Sequence, residues 1–392
     1  MISLDRNSEI GVVGAGTMGR GIAQIAATYG HSVILQDIND EILQETQSSL
    51  EKMLNRLQEK GRLEGKSAEE ILKRILFAND LNNFSNCALV IEAVVENKEI
   101  KKKLFGELEK AISDSCILAT NTSSLSITSV ATACRKPERV LGIHFFNPAP
   151  LMPLVEIIPG MKTSKSLVNT ARALINEWGK TTVLAKDTPG FIVNRVARPF
   201  YGEGLRILEE GIADAATIDW AMKEIGGFKM GPFEIMDLIG NDVNLKVTET
   251  VFEEFFYDPR FKPSITQKRM VEAGLLGKKS GQGHYDYREN AENPKPKENQ
   301  KLGEEIFIRI LVMLINEAAD AVFLNIAAKE DVDLAMTKGV NYPRGLLKWA
   351  DEIGLEKVLS KLMELQDEYG EDRYRPSVFL KRMVRNKQRF YD

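Results

Sequence analysis

The stretch from Glu9 to Asp37, EIGVVGAGTMGRGIAQIAATYGHSVILQD, constrains the fold of this chain more than any other. A short β-branched run ends at Gly14-x-Gly16-x-x-Gly19, and a helix of small residues follows. A second apolar run, Ser32 to Gln36, then ends on an acid, Asp37. In such a strand–turn–helix–strand unit each glycine has a mechanical task. Gly14 permits the tight turn, Gly16 lets a pyrophosphate approach the backbone, and Gly19 lets helix and strand pack closely. Amide groups at the helix N-terminus, together with the helix dipole, hold anionic phosphates. Gly14, Gly16, Thr17, Met18 and Gly19 are therefore the expected cofactor-binding turn. A bare GxGxxG can mark only a structural turn, but strand, glycines, helix, strand and acid in this order point to a dinucleotide. Asp37 stands 21 residues after Gly16. It either caps the turn, or it accepts from the ribose 2′-hydroxyl and repels a 2′-phosphate, which selects NAD.

Three later runs, Ala88 to Asn97, Cys116 to Ser126 and Val140 to Pro150, each read as a buried strand passing into polar residues. In an open parallel sheet, ligands lie beyond the carboxyl ends of the strands. Glu96, Asn121, Ser123, His144 and Asn147 all follow such ends and are expected to converge on one crevice. His144 is one of only three histidines. Past a turn rich in proline comes another apolar strand, LVEIIPG, with Glu156 inside it. A carboxylate there is costly unless paired, and His144, twelve residues back, is the available partner. A glutamate on one ring nitrogen sets the tautomer and raises the basicity of the other. The alternative is a structural ion pair.

With these motifs in view, the chain resembles the short-chain L-3-hydroxyacyl-CoA dehydrogenases, which include the 3-hydroxybutyryl-CoA dehydrogenases. The resemblance runs from about residue 8 to 287 and rests on GAGTMGRGIAQ, VIEAVVEN, NTSSLSI, HFFNPAP, LVEII, TPGFIVNR and GLLGKKSGQGHYDY. It implies His144 as acid–base with Glu156 as its partner, and Ser123 and Asn194 as contacts to the substrate oxygen. For NAD it implies Asp37, Glu96, Lys101, Ser123, Asn147 and Lys279. Oxidising a secondary alcohol needs a base for the hydroxyl proton and an acceptor for hydride, and no metal. Lys52, Arg56 and Lys60 recur at every fourth position of a helical stretch, 51–67. Arg56 and Lys60 match the family's basic positions for coenzyme A; the other reading of the stripe is a solvated helix face.

The chain's 392 residues imply two or three domains. A net charge of −4 argues against nucleic acid as a main partner. Three scattered cysteines fit a reducing compartment. No apolar run reaches the roughly 18 residues that span a bilayer, so a cytoplasmic enzyme that avoids membranes is expected. Strand character stops at Asp187, and a polar, proline-bearing stretch occupies 288–301. Residues 219 to 240 align without a gap on 333 to 354, with seven identities at an offset of 114. The expected architecture is α/β: a Rossmann-type NAD-binding domain, 1–187, followed by two tandem all-α domains, 188–287 and 302–392. The second is a structural copy whose counterpart of Asn194 is Ile308. The two copies are expected to pair within the chain, any further oligomer using another surface. Two rival functions stand beside the acyl-CoA dehydrogenase. One is a crystallin-like dehydrogenase of a free hydroxy acid; the other is a non-catalytic NAD-binding structural protein.

Overall fold

The computed structural model describes residues 4–63 and 65–391. The chain divides into two compact units, one running to Thr188 and one from Pro189. The first alternates strands and helices. These are β1 (Ile10–Val13), α1 (Thr17–Thr28), β2 (Val33–Gln36), α2 (Asp40–Glu59), α3 (Ala68–Leu72), β3 (Ile75–Ala78) and β4 (Leu89–Glu92). There follow α4 (Lys98–Ala111), β5 (Ile117–Thr120), α5 (Ile127–Ala131), β6 (Val140–Phe145), β7 (Leu154–Pro159), α6 (Lys165–Glu177) and β8 (Thr181–Leu184).

The strands form one eight-stranded sheet in the order β3-β2-β1-β4-β5-β6-β7-β8. From β3 to β6 every pairing is parallel, as expected for strands that are apolar on both faces and joined by helices. Strand order reverses between β1 and β4, the switch point at which such sheets leave a crevice. β7 then pairs antiparallel to β6, and β8 runs parallel to β7. The small residues of α1 have a packing reason: Gly19, Gly21, Ala23, Ala26 and Ala27 are buried, letting the helix lie close to the sheet. The helix expected over 51–67 is shorter, because α2 stops at Glu59 and Gly61 takes a left-handed φ of 65°. Such a φ is available to glycine at little cost, so the chain turns there.

The second unit is helical. It contains α7 (Val193–Val196), α8 (Arg198–Glu209), α9 (Ala215–Trp220, prolonged by a wider turn to Ile225), α10 (Pro232–Ile239), α11 (Asn241–Glu254) and α12 (Ile265–Glu272). After these come α13 (Gln300–Phe323), α14 (Lys329–Gly339), α15 (Leu346–Ile353), α16 (Leu355–Tyr369) and α17 (Val378–Arg385). Within this unit α8, before the polar stretch 288–301, packs directly on α13, after it. Element boundaries repeat: α10 shifted by 114 residues gives α15, and α12 shifted by 113 gives α17. The hydrogen bonds repeat as well. Asp219 accepts from the amides of Phe233 and Glu234, both at 3.0 Å, and Asp333 from those of Leu347 and Lys348 at 2.8 and 3.0 Å. Asp237 accepts from the amides of His284 and Tyr285, and Asp351 from those of Phe390 and Tyr391.

Ion pairs across the two segments follow the same rule. Arg195 pairs with Glu317, and its counterpart Arg309 pairs with Glu203, the counterpart of Glu317. Arg260 lies 3.2 Å from Glu317, and Arg373 lies 3.9 Å from Glu203. Reciprocal contacts of this kind define an isologous, two-fold-like interface. Glu317 and Glu203 are buried. Removing the charge of Glu317 strands the Arg195 guanidinium away from water, whereas Arg309 keeps Glu210 at 2.7 Å when Glu203 is neutralised. E317Q is expected to lower the unfolding free energy by roughly 3 kcal/mol and E203Q by less, read by denaturant melts. Unchanged midpoints in both variants would show that these pairs do not hold the helical unit together.

Candidate active site

The glycine-rich turn has the shape its sequence implies. Gly14 has a φ of 95°, and a Cβ on it would stand 2.8 Å from the carbonyl oxygen of Ala93. A Cβ on Gly19 would lie 1.7 Å from the carbonyl oxygen of Gly14, an impossible overlap, so helix and turn can meet only at glycine. A Cβ on Gly16 would meet nothing within 4 Å, which leaves its backbone open to an incoming group. Gly16 is the N-cap of α1 and has no side-chain cap, and the first turn, which holds Thr17 and Met18, carries no acid. The amides and positive dipole end of α1 are thus available to phosphate oxygens, and the turn fits a dinucleotide.

Asp37 follows β2. Its Oδ2 accepts from the Ala15 amide at 2.9 Å and its Oδ1 from the Asn39 amide at 3.1 Å. It therefore holds the turn, yet a carboxylate has about four acceptor sites, so the same group can also receive ribose hydroxyls.

Beyond β4 and β5 a buried polar network forms. Glu92, fully buried, accepts from Lys101 Nζ at 2.6 Å, Thr120 Oγ1 at 2.7 Å and the Val94 amide at 2.7 Å. Lys101 also reaches Glu96 at 3.3 Å. Glu96 in turn accepts from Thr122 Oγ1 at 2.5 Å, the Ser123 amide at 3.0 Å and Ser123 Oγ at 3.3 Å. Burial pushes the Glu96 carboxyl up, but the Lys101 ammonium and the donors of Thr122 and Ser123 outweigh it and hold it below the usual carboxylate range. Glu96, Lys101 and Ser123 are thereby brought together. Lys101 itself is 1% exposed and touches both Glu92 and Glu96. Glu92, Thr120 and Thr122 were not singled out from the sequence; an acid at the end of an all-apolar strand was the available signal.

His144 and Glu156 are directly opposed on β6 and β7. His144 Nδ1 lies 2.7 Å from Glu156 Oε2, with the side chains 6% and 0% exposed. The Phe146 ring packs on the imidazole at 4.5 Å between centroids. Next to them, Asn121 accepts from the Phe145 amide at 2.8 Å, tying β5 to the end of β6. The turn between β6 and β7, where Asn147 is exposed, is gripped by Lys180, which donates to the carbonyls of Ala149 and Met152 at 2.7 and 2.8 Å. The other two histidines are structural. His31 Nδ1 meets the Ser8 carbonyl at 2.9 Å, and the His284 ring packs on Phe233.

Arg56 and Lys60 are exposed at the end of α2. Asn194 lies in α7 of the helical unit, and Lys279, in the same unit, pairs with Asp242 at 2.6 Å.

Residues 9–188 match the family model described as 3-hydroxyacyl-CoA dehydrogenase, NAD binding domain, and the model of the C-terminal domain matches 190–287 and again 306–389. The chain belongs to the 3-hydroxyacyl-CoA dehydrogenase family. It is an NAD-dependent oxidoreductase. It is 37% identical to a 3-hydroxyadipyl-CoA dehydrogenase of Escherichia coli K12, over 95% of this chain and 96% of that one. A probable 3-hydroxybutyryl-CoA dehydrogenase of Deinococcus radiodurans is 43% identical, over 71% of this chain and all of its own. The crystal structure of a 3-hydroxybutyryl-CoA dehydrogenase from E. coli K12 superposes with a TM-score of 0.92 at 36% identity, covering 98% of this chain and 99% of that one. No helix among the described residues is long and apolar enough to cross a membrane.

With a carboxylate holding the turn after β2, the enzyme is expected to favour NAD over NADP by at least about tenfold in kcat/KM. D37A should shrink that ratio, because repulsion of a 2′-phosphate and a hydrogen bond are both lost. Equal kcat/KM values for the two cofactors in the unaltered enzyme would remove Asp37 from the ribose.

Proposed function

We propose that this enzyme interconverts (S)-3-hydroxyacyl-CoA and 3-oxoacyl-CoA, with His144 moving the hydroxyl proton through Nε2. The observation that carries the reading is the buried pair of His144 Nδ1 and Glu156 Oε2 at 2.7 Å. Glu156 keeps the proton of the neutral ring on Nδ1, so Nε2 is the nitrogen with a lone pair to offer. When Nε2 takes the proton, Glu156 faces the resulting imidazolium and stabilises it. In the reverse direction the same ring returns the proton to the oxygen. Bound NAD supplies the hydride acceptor for the alcohol carbon.

Ser123, through its hydroxyl, and Asn194, through its amide, are proposed as neutral donors to the substrate oxygen as it changes between hydroxyl and carbonyl. Asp37, Glu96, Asn147, Lys279 and the turn from Gly14 to Gly19 are proposed to hold NAD, with Lys101 acting through Glu96. Ile38 and Val95, 91% and 64% exposed beside Asp37 and Glu96, offer apolar surface to a flat base. Arg56 and Lys60 are proposed for the phosphates of coenzyme A. The names of the relatives differ in the acyl group but share the coenzyme A thioester. Residues 302–392 are read as a second copy of the helical domain, supported by the repeated boundaries, hydrogen bonds and ion pairs.

The test is oxidation of NADH by acetoacetyl-CoA, followed by absorbance. H144A is expected to lower kcat by about 10²- to 10⁴-fold with NADH affinity retained, since the ring acts on the substrate proton. E156Q should lower kcat by roughly 10- to 100-fold through a weaker, less well-oriented base. Unaltered kcat in either variant would take the pair out of the mechanism.

A further inference from the structure

Arg198 opens α8, one helical turn beyond Asn194. Its side chain is buried, 6% exposed. Nε donates to the Asn194 carbonyl at 2.8 Å and Nη1 to Thr248 Oγ1 at 3.1 Å, while the guanidinium lies 4.8 Å from the ring centre of Tyr201. All of these partners are neutral. The other buried arginines of the helical unit, Arg195, Arg309 and Arg373, each face a buried carboxylate. Among the described residues no carboxylate faces Arg198; the groups that act on its charge are Tyr201 and Tyr342. A guanidinium taken out of water without a counter-charge is expensive.

Tyr342 is a second, independent observation. It comes from the segment between α14 and α15, is 5% exposed, and packs its ring on Phe200 at 5.6 Å between centroids. Its hydroxyl is buried without a hydrogen-bond partner. Buried hydroxyl groups are normally satisfied.

The repeat supplies an internal control. At the offset of 114, Asn194 corresponds to Ile308, Arg198 to Val312, Tyr201 to Ile315, and Tyr342 to Phe228. The same two-fold-like interface is therefore built at the equivalent position from apolar residues alone. Packing has no need of the charge or the hydroxyls. They occur only on the side that carries Asn194.

We propose that Arg198, with the hydroxyls of Tyr201 and Tyr342, receives a carboxylate at the far end of the acyl chain, so that the substrate is the thioester of a dicarboxylic 3-hydroxy acid. The inference rests on the reading of Asn194 as a contact to the 3-oxygen. Arg198 stands four positions after Asn194 along helical backbone, a rise of about 6 Å. In a six-carbon chain, three carbon–carbon bonds and a hydrogen bond of about 3 Å bridge that span. An arginine pairs with a carboxylate through two parallel N–H donors. In this arrangement the second helical copy contributes Tyr342 to the site, beyond a structural role.

The experiment compares kcat/KM for two six-carbon 3-oxoacyl-CoA thioesters, one ending in a carboxylate and one in a methyl group, by NADH oxidation with the full chain. The unaltered enzyme should prefer the carboxylate by at least about tenfold, since the methyl compound leaves buried polar groups unpaired. R198Q should bring the ratio to within about twofold of one, and Y342F, which keeps the ring and its packing, should reduce it about threefold to tenfold. A merely structural Arg198, or one that met the coenzyme A phosphates, would depress both thioesters in proportion and leave the ratio intact. A ratio near one in the unaltered enzyme overturns the inference while the dehydrogenase reading stands. So does a ratio that survives both substitutions. Turnover of neither thioester would instead sink the dehydrogenase reading, and this inference with it.

Discussion

The nucleotide-binding unit depends on one change of direction. Through β6 the sheet is parallel, and each strand delivers its carboxyl end, with the polar residues behind it, to the same edge. β7 returns antiparallel and sets Glu156 directly against His144 at the close spacing of a cross-strand pair. The imidazole and the carboxylate are both nearly inaccessible to water, so each is the other's compensation for burial. The same pairing makes the glutamate tolerable inside a strand and holds the imidazole in place.

A comparable economy holds at the switch point. Glu92 ends β4 and is fully buried, and its carboxylate collects Lys101, Thr120 and a backbone amide. Lys101 carries the network on to Glu96, and Glu96 orders the hydroxyl and amide of Ser123. The loops that follow β4 and β5 are thus braced against each other by charge-assisted hydrogen bonds, which are stronger than neutral ones. In the helical unit the bracing follows an internal two-fold, with Arg195 and Glu317 answering Arg309 and Glu203. Where the two halves of that unit depart from symmetry, at Arg198 and Tyr342, a reason other than packing is required.

Much of this was legible in the chain. Local patterns specify what depends on local geometry: the glycine turn, the acid after β2, the strands apolar on both faces, and the repeat at offset 114. The His144–Glu156 pair could be anticipated because an acid in an apolar strand demands a partner, and few were near in sequence. Lys101 was harder to place. Its helix reads as an ordinary amphipathic one, and burial of a lysine is decided by whether an acid such as Glu92 waits beneath it. The helix that carries the basic stripe stops at Glu59, short of the stretch 51–67, since a glycine at position 61 leaves the chain free to continue or to turn.

The sequence by itself determined the alternation of elements, the dinucleotide turn and the duplication, because periodicity and glycine geometry act over a few residues at a time. Tertiary structure alone decided which charges meet. Glu203 faces Arg309 at 106 residues' separation, Tyr285 bonds Asp219 at 66, and Tyr342 is drawn near Arg198 from the other helical copy. No local rule relates such residues. A buried charge must find its partner in space, and the partner it finds, or lacks, is fixed only when the helices pack.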